Sequence, residues 1–366
     1  MRLSMKLSFI RFLVGDVFRE SVIMVERLTG PGTFRYFLAT LVLVAHSTRV
    51  NLGSAAVYIF FTLSGYWITV MWQSKYSKTE NPYFTYLVSR FWRLLPLFWI
   101  CGVIALLIQP WHHAGSSSLV HYWGSQIAIL GYHSLDWLPI LPAWSLDVEM
   151  QFYLLAPLAI LVMTGGSRIW TLFGIAVGSA LASTVLGENL ASCAIFFAIG
   201  IVAAQMKWRP GKALLAGSGM LVILGVGVCL AVPALRSILC VGTHPGPLSM
   251  WNIPAQITIS FLAIPYAIWT TSRRSDRVDK TLADASYALY LLHWPLLEAA
   301  MTGHLPVSRW LLTGLLYVAT IGLSIGMTLW IDNPIQKPRS RWVNSRSRRR
   351  TTSPVADTAA IEASGS

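Results

Sequence analysis

Apolar runs of helical length recur from residue 34 to residue 331, broken only by short polar or turn-rich segments. A bilayer offers no water to backbone N–H and C=O groups, so runs of this kind are confined to helices. Ten candidate spans read off at 34–52, 55–73, 92–109, 144–163, 169–186, 190–206, 213–232, 255–271, 283–301 and 310–331. Asn81-Pro82, Gly165-Gly166, Arg209-Pro210-Gly211 and Thr243–Pro247 punctuate them. Of the 366 residues 55% are hydrophobic and 12% charged, whereas a soluble domain carries about 25% charged residues. The expected fold class is therefore all-α, a polytopic integral membrane helical bundle of about ten transmembrane helices.

The formal charge of +13 falls in short segments between the runs. That placement fits a membrane partner and excludes nucleic acid. With a cytoplasmic N-terminus, the inner segments collect Lys75, Lys78, Arg90, Arg93, Arg168, Lys207, Arg209, Lys212, Arg273, Arg274, Arg277 and Lys280. The outer segments hold only Arg49, Arg236 and Arg309. Such asymmetry places both termini in the cytoplasm. Residues 1–30 read as an interfacial segment, or as sequence preceding a start at Met24; 31–341 form the membrane domain. Residues 342–366 read as a disordered tail, basic and then polar. No CxxC spacing links Cys101, Cys193, Cys229 and Cys240, which read as small buried hydrophobes. His112, His113, His121 and His133 lack a helical i, i+4 pair, so no metal site is expected.

Two ionisable residues stand inside the first run. Arg35 and His46 are eleven positions apart, which returns them to one helix face at a separation of roughly 16 Å. Ionisable groups within a span usually face a water-filled passage, and this separation approximates the pantetheine arm of a coenzyme. A buried, neutral His46 can act as a general base or as a hydrogen-bonded strut between helices. Arg90 and Arg93, one turn apart, can fork onto phosphate oxygens or simply mark the membrane interface. Trp144–Tyr153 carries Asp147 and Glu149; Glu149 can orient His46, or both acids can remain solvated. Ser64-Gly65 fits close helix packing better than nucleophilic catalysis. His293, just before Pro295, suits either a structural or a site-lining role.

Taken in order, these segments resemble the acyltransferase-3 family of integral membrane O-acyltransferases. The resemblance rests on the Arg35-to-His46 spacing, Arg90-Phe91-Trp92-Arg93 with Leu94-Leu95-Pro96, and Trp144-Ser145-Leu146-Asp147-Val148-Glu149. Ser286-Tyr287 through His293-Trp294-Pro295 and Asp332-Asn333-Pro334 complete it, so that it runs from about Arg35 to Arg341. Ser54-Ala55-Ala56 after Gly53, and Met150, stand where relatives often carry an acid. The resemblance implies an acyl-CoA (acetyl-CoA) co-substrate and a carbohydrate or lipid-linked saccharide acceptor at a bacterial inner membrane. It implies a catalytic His46 and donor-binding Arg35, Arg90 and Arg93. Glu149 is expected to assist His46, and Ser64, Trp144 and His293 to line the substrate path. The rival readings are a transporter, which would show matched halves not visible here, and a non-catalytic component of a polysaccharide assembly complex.

Overall fold

The computed structural model describes residues 29–108, 118–165, 167–240, 246–302 and 308–351. The N-terminal 1–28, the tail 352–366, and His112 and His113 lie outside them. Among the described residues the elements are helical, with one isolated bridge between Val50 and Cys240. The helices are α1 (Pro31–Ser47), α2 (Gly53–Ser74), α3 (Pro82–Ile108), α4 (Leu119–Ala128), α5 (Trp144–Val162) and α6 (Arg168–Leu186). They continue with α7 (Leu190–Gln205), α8 (Lys212–Ala231), α9 (Asn252–Thr270), α10 (Arg277–Thr302), α11 (Arg309–Met327) and α12 (Asn333–Thr351).

Every one of the ten expected segments contains a helix, and the chain is a multi-pass membrane protein. Seven described helices are long and apolar enough to cross a bilayer. The three others fall outside that set for physical reasons. Helices α1 and α7 have 17 and 16 residues, and the apolar stretch of α10 is diluted by Tyr287, Tyr290, His293, Pro295 and Glu298. These three are interior helices. Helix α1 packs on α10 and α2, and α7 packs on α2 and α6. Helices α6 and α8 instead expose most of their side chains, as lipid-facing helices do, burying only Ser179 and Ser218.

The start of α1 has Pro31 in its first turn and a glycine at its N-cap, so no cap side chain covers the orphan N–H groups. Asp279 of α10 supplies the missing acceptor, taking Thr33 N–H at 2.8 Å and Thr33 Oγ1 at 3.1 Å. A carboxylate at a helix N-terminus also complements the helix dipole. The α2–α7 pair approaches closely, because Gly65 and Gly200 have no Cβ. A Cβ on Gly200 would overlap the Thr62 carbonyl, and one on Gly65 the Phe197 carbonyl. The close packing expected at Ser64-Gly65 is therefore present, and stacked Phe61–Phe197 and Phe152–Phe197 rings fill the seam.

Helix α11 joins α12 through a five-residue π-helical turn, Thr328–Asp332. The helix then runs beyond Arg341 to Thr351, where a disordered tail was expected from 342. Val343 is buried and the Trp342 ring lies 6.4 Å from that of Trp92, so apolar anchoring outweighs the high polarity of this stretch. The cysteines are all free, Cys101 and Cys193 being buried.

Overpacking the α2–α7 seam should cost about 1–3 kcal/mol or more. Gly200→Val is expected to lower the melting temperature in detergent. Gly217→Val on α8, where an added Cβ meets open space, is expected to leave it unchanged.

Candidate active site

Two cavities lie against α1. The first, of about 170 Å³, is lined by Arg35, Ser64, Trp67, Arg90, Arg93, Glu149, Tyr153 and Tyr287, among others. The second, of about 320 Å³, is lined by His46, Thr48, Arg49, Asn51, Ser54, Pro142 and Trp144. Val57 and Tyr290 line both cavities and so stand between them. The single passage expected from the Arg35–His46 spacing is thus two chambers with a shared partition. The Tyr290 hydroxyl fixes that partition, bonding the Pro142 carbonyl at 2.8 Å and Ser145 Oγ at 2.7 Å. Tyr290 precedes His293 by three positions, and that i, i+3 relation was the one sequence signal for it.

The His46 ring is oriented through Nδ1, which lies 3.0 Å from the Val42 carbonyl. A carbonyl only accepts, so that nitrogen carries the proton. His293 Nε2 lies 3.3 Å from the same N–H and accepts from it. His293 in turn directs its own Nδ1–H to the Leu289 carbonyl at 3.3 Å. The tautomers are thereby mutually consistent, and the lone pair on His46 Nε2 remains for a ligand in the second cavity. Trp294 meets the His46 ring edge-on, with centroids 5.4 Å apart. His293 is itself fully buried and lines neither cavity. It stands behind His46, in contact with that ring.

Glu149 is also reassigned. Its Oε1 accepts from Ser64 Oγ at 2.6 Å and from the Tyr153 hydroxyl at 2.7 Å, in the arginine-lined cavity. With Glu149 held there, the side chain beside His46 Nδ1 is His293. Ser64 and Trp144 do line cavities, but different ones. Asp147, expected near solvent, is fully buried. It accepts from Gly131 N–H, His133 N–H, His133 Nδ1 and Gln151 Nε2 at 2.6–3.1 Å, clamping the connection before α5.

The three arginines expected to act together have distinct surroundings. Arg93 is neutralised by Asp332 at 2.7 Å and Asp284 at 2.8 Å, and the π-helical turn aims Asp332 at it. Arg90 sits among the rings of Tyr76, Tyr86 and Tyr153, 5.4–5.9 Å from their centroids, and donates to the Tyr76 hydroxyl at 3.0 Å. Arg35 lies over Trp67, 5.9 Å from the ring centroid. Neither Arg35 nor Arg90 makes an ion pair among the described residues. Burying a guanidinium without a contacting counter-charge is costly, and these two line the cavity that also holds Glu149. The chemistry on offer is an anion-gripping chamber at one end of α1 and an oriented imidazole base at the other.

The acyltransferase-3 family model, described as an acyltransferase domain, matches residues 27–329. The chain is similar to the acyltransferase MdmB of Streptomyces mycarofaciens, with 26% identity over 407 aligned positions covering 93% of this chain and 97% of that one. It is also similar to the peptidoglycan O-acetyltransferase OatA of Listeria monocytogenes serovar 1/2a, with 30% identity over 126 residues. That second match spans 30% of this chain and only 20% of the Listeria protein. No solved structure matches significantly. The chain belongs to the acyltransferase-3 family of membrane acyltransferases.

Proposed function

We propose that this protein transfers an acyl group, in the first instance acetyl, from a coenzyme A thioester to a carbohydrate hydroxyl at a bacterial inner membrane. The observation that carries the reading is the orientation of His46. Its Nδ1–H is committed to Val42 and His293, and its ring lines a cavity large enough for part of a sugar. Trp144 in the same wall offers a flat apolar face to a sugar ring. The name of the Listeria relative, a peptidoglycan O-acetyltransferase, supports a carbohydrate acceptor.

In this reading the phosphorylated end of the donor is held from the cytoplasm by Arg35 and Arg90, and the acyl end reaches toward His46. The separation along α1 is roughly 16 Å, within the reach of an extended pantetheine arm. Release of the Tyr290 hydroxyl from Pro142 opens the partition to the thioester. His46 Nε2 takes the proton of the acceptor hydroxyl as its oxygen adds to the thioester carbonyl. The tetrahedral adduct then breaks its C–S bond, and His46 returns the proton to the departing thiolate. His293 stabilises the transient imidazolium by accepting from its Nδ1–H, the part a carboxylate plays in other base–orienter pairs. Arg93, already paired, shapes the entrance and holds α3 to α10 and the π-helical turn.

The test is the O-acetyl content of glycans from cells producing each variant, read by mass spectrometry. His46→Ala is expected to insert normally and to lower transfer by about 10²–10⁴-fold. Unchanged acetylation by an inserted His46→Ala protein would remove the assignment. His293→Ala is expected to lower transfer by about tenfold or more, by loosening the base. His293→Gln, whose amide oxygen can still accept from His46, is expected to recover part of that loss.

A further inference from the structure

Arg339 is a basic residue that the donor set drawn from sequence leaves out. It lies on α12, facing α3, and its Nη1 donates to Ser89 Oγ at 3.1 Å. Ser89 Oγ is 2.9 Å from the Tyr76 hydroxyl, which accepts from Arg90 Nη2 at 3.0 Å. Ser89 and Tyr76 are both fully buried. Two guanidinium groups are thus tied together through a pair of neutral hydroxyls. Of the neighbouring carboxylates, Asp284 and Asp332 bond Arg93 and Glu80 bonds Arg346, while Glu149, in the same cavity as Arg90, accepts from Ser64 and Tyr153. Among the described residues neither Arg90 nor Arg339 has an ion pair, and the Nε of each is buried without a hydrogen bond.

A topology-marking arginine would extend its head into water, as long cationic side chains do at a membrane surface. Arg339 instead turns inward, beside another cation. Two like charges held together by hydroxyl groups repel one another, and the cost is relieved when an anion sits between them. Forked donors of this kind match the oxygens of a phosphate group.

We propose that Arg339, together with Arg90, grips a phosphate of the donor's nucleotide end, so that α12 forms one wall of the donor site. The assignment rests on the donor reading above and extends it to a helix near the C-terminus. One turn before Arg339, Gln336 Nε2 bonds Asp332 Oδ1 at 2.8 Å and the Arg93 carbonyl at 3.4 Å, fixing the register of α12 against α3. The π-helical turn therefore places two things at once: Asp332 on Arg93, and Arg339 beside Arg90.

The experiment titrates acetyl-CoA into the full-length protein in lipid nanodiscs and reads the dissociation constant by calorimetry. Arg339→Gln is expected to weaken acetyl-CoA binding by about tenfold or more, the ordinary worth of a hydrogen bond to a charged group. Its melting temperature without ligand is expected to match that of the parent. Arg339→Lys, which keeps the charge but not the fork, is expected to fall between the two. Arg346→Gln, on the same helix but paired with Glu80, is expected to bind as the parent does.

A 3′-dephospho-acetyl-CoA arm identifies which phosphate is held. If Arg339→Gln costs nothing further with that analogue, the 3′-phosphate is the group gripped; if the loss persists, the diphosphate is. Parental affinity in Arg339→Gln, or an equal loss in Arg346→Gln, overturns the assignment. A parent protein that binds no acetyl-CoA overturns the donor reading itself and the role of Arg339 with it.

Discussion

Hydrogen bonds pin the α1–α10 seam near both of its ends, and each one spends a polar group that lipid would not tolerate. Asp279 takes the uncapped N–H of Thr33 at the start of α1. His293 takes the Nδ1–H of His46 near its end. Together these contacts set the register of α1 against α10. Its eleven-residue interval from Arg35 to His46 then becomes a fixed ruler across the bundle. The Arg35 cavity and the His46 cavity open on that ruler, and Tyr290 of the same α10 divides them.

The basic rim follows from how a low-dielectric interior treats charge. A buried ion is tolerated when a counter-ion or a dense set of hydrogen bonds attends it. Arg93 meets that requirement with two carboxylates and serves as a joint between α3, α10 and the π-helical turn. Arg90 has instead aromatic faces and one phenol hydroxyl, and Arg35 an indole face. Aromatic faces attract a cation yet leave its N–H donors able to reach a ligand. The same residue type, in one cavity wall, is thereby divided between a paired joint of the fold and guanidinium groups without an ion pair.

Much of the site was readable in sequence because membrane helices fix direction as well as position. Arg35, His46, Arg90 and Arg93 stand out as ionisable residues in or beside apolar runs, and all four line a cavity. Glu149 was readable as an inward acid but not as a partner of Ser64 and Tyr153. Helical periodicity says which way a residue faces on its own helix; it does not say which neighbour it faces. His293 was visible as a histidine in a span, while its place behind His46 depends on how α10 docks on α1. Arg339 was hidden by its surroundings. A cation in the run of Lys337, Arg339, Arg341 and Arg346 carries no mark in sequence to separate it from its neighbours.

The sequence by itself determined the helical membrane architecture, since uninterrupted apolar runs permit no other way to satisfy the backbone. It also determined the axial ladder of polar groups along α1, because rise per residue is a property of the helix alone. Only the tertiary structure decided the partners: His293 for His46, Tyr153 and Ser64 for Glu149, two aspartates for Arg93, and a hydroxyl bridge for Arg90 and Arg339. Those pairings depend on the rotation and register of each helix against the next. Interhelical packing sets these, through small residues such as Gly65 and Gly200 and through polar groups that bond across helices.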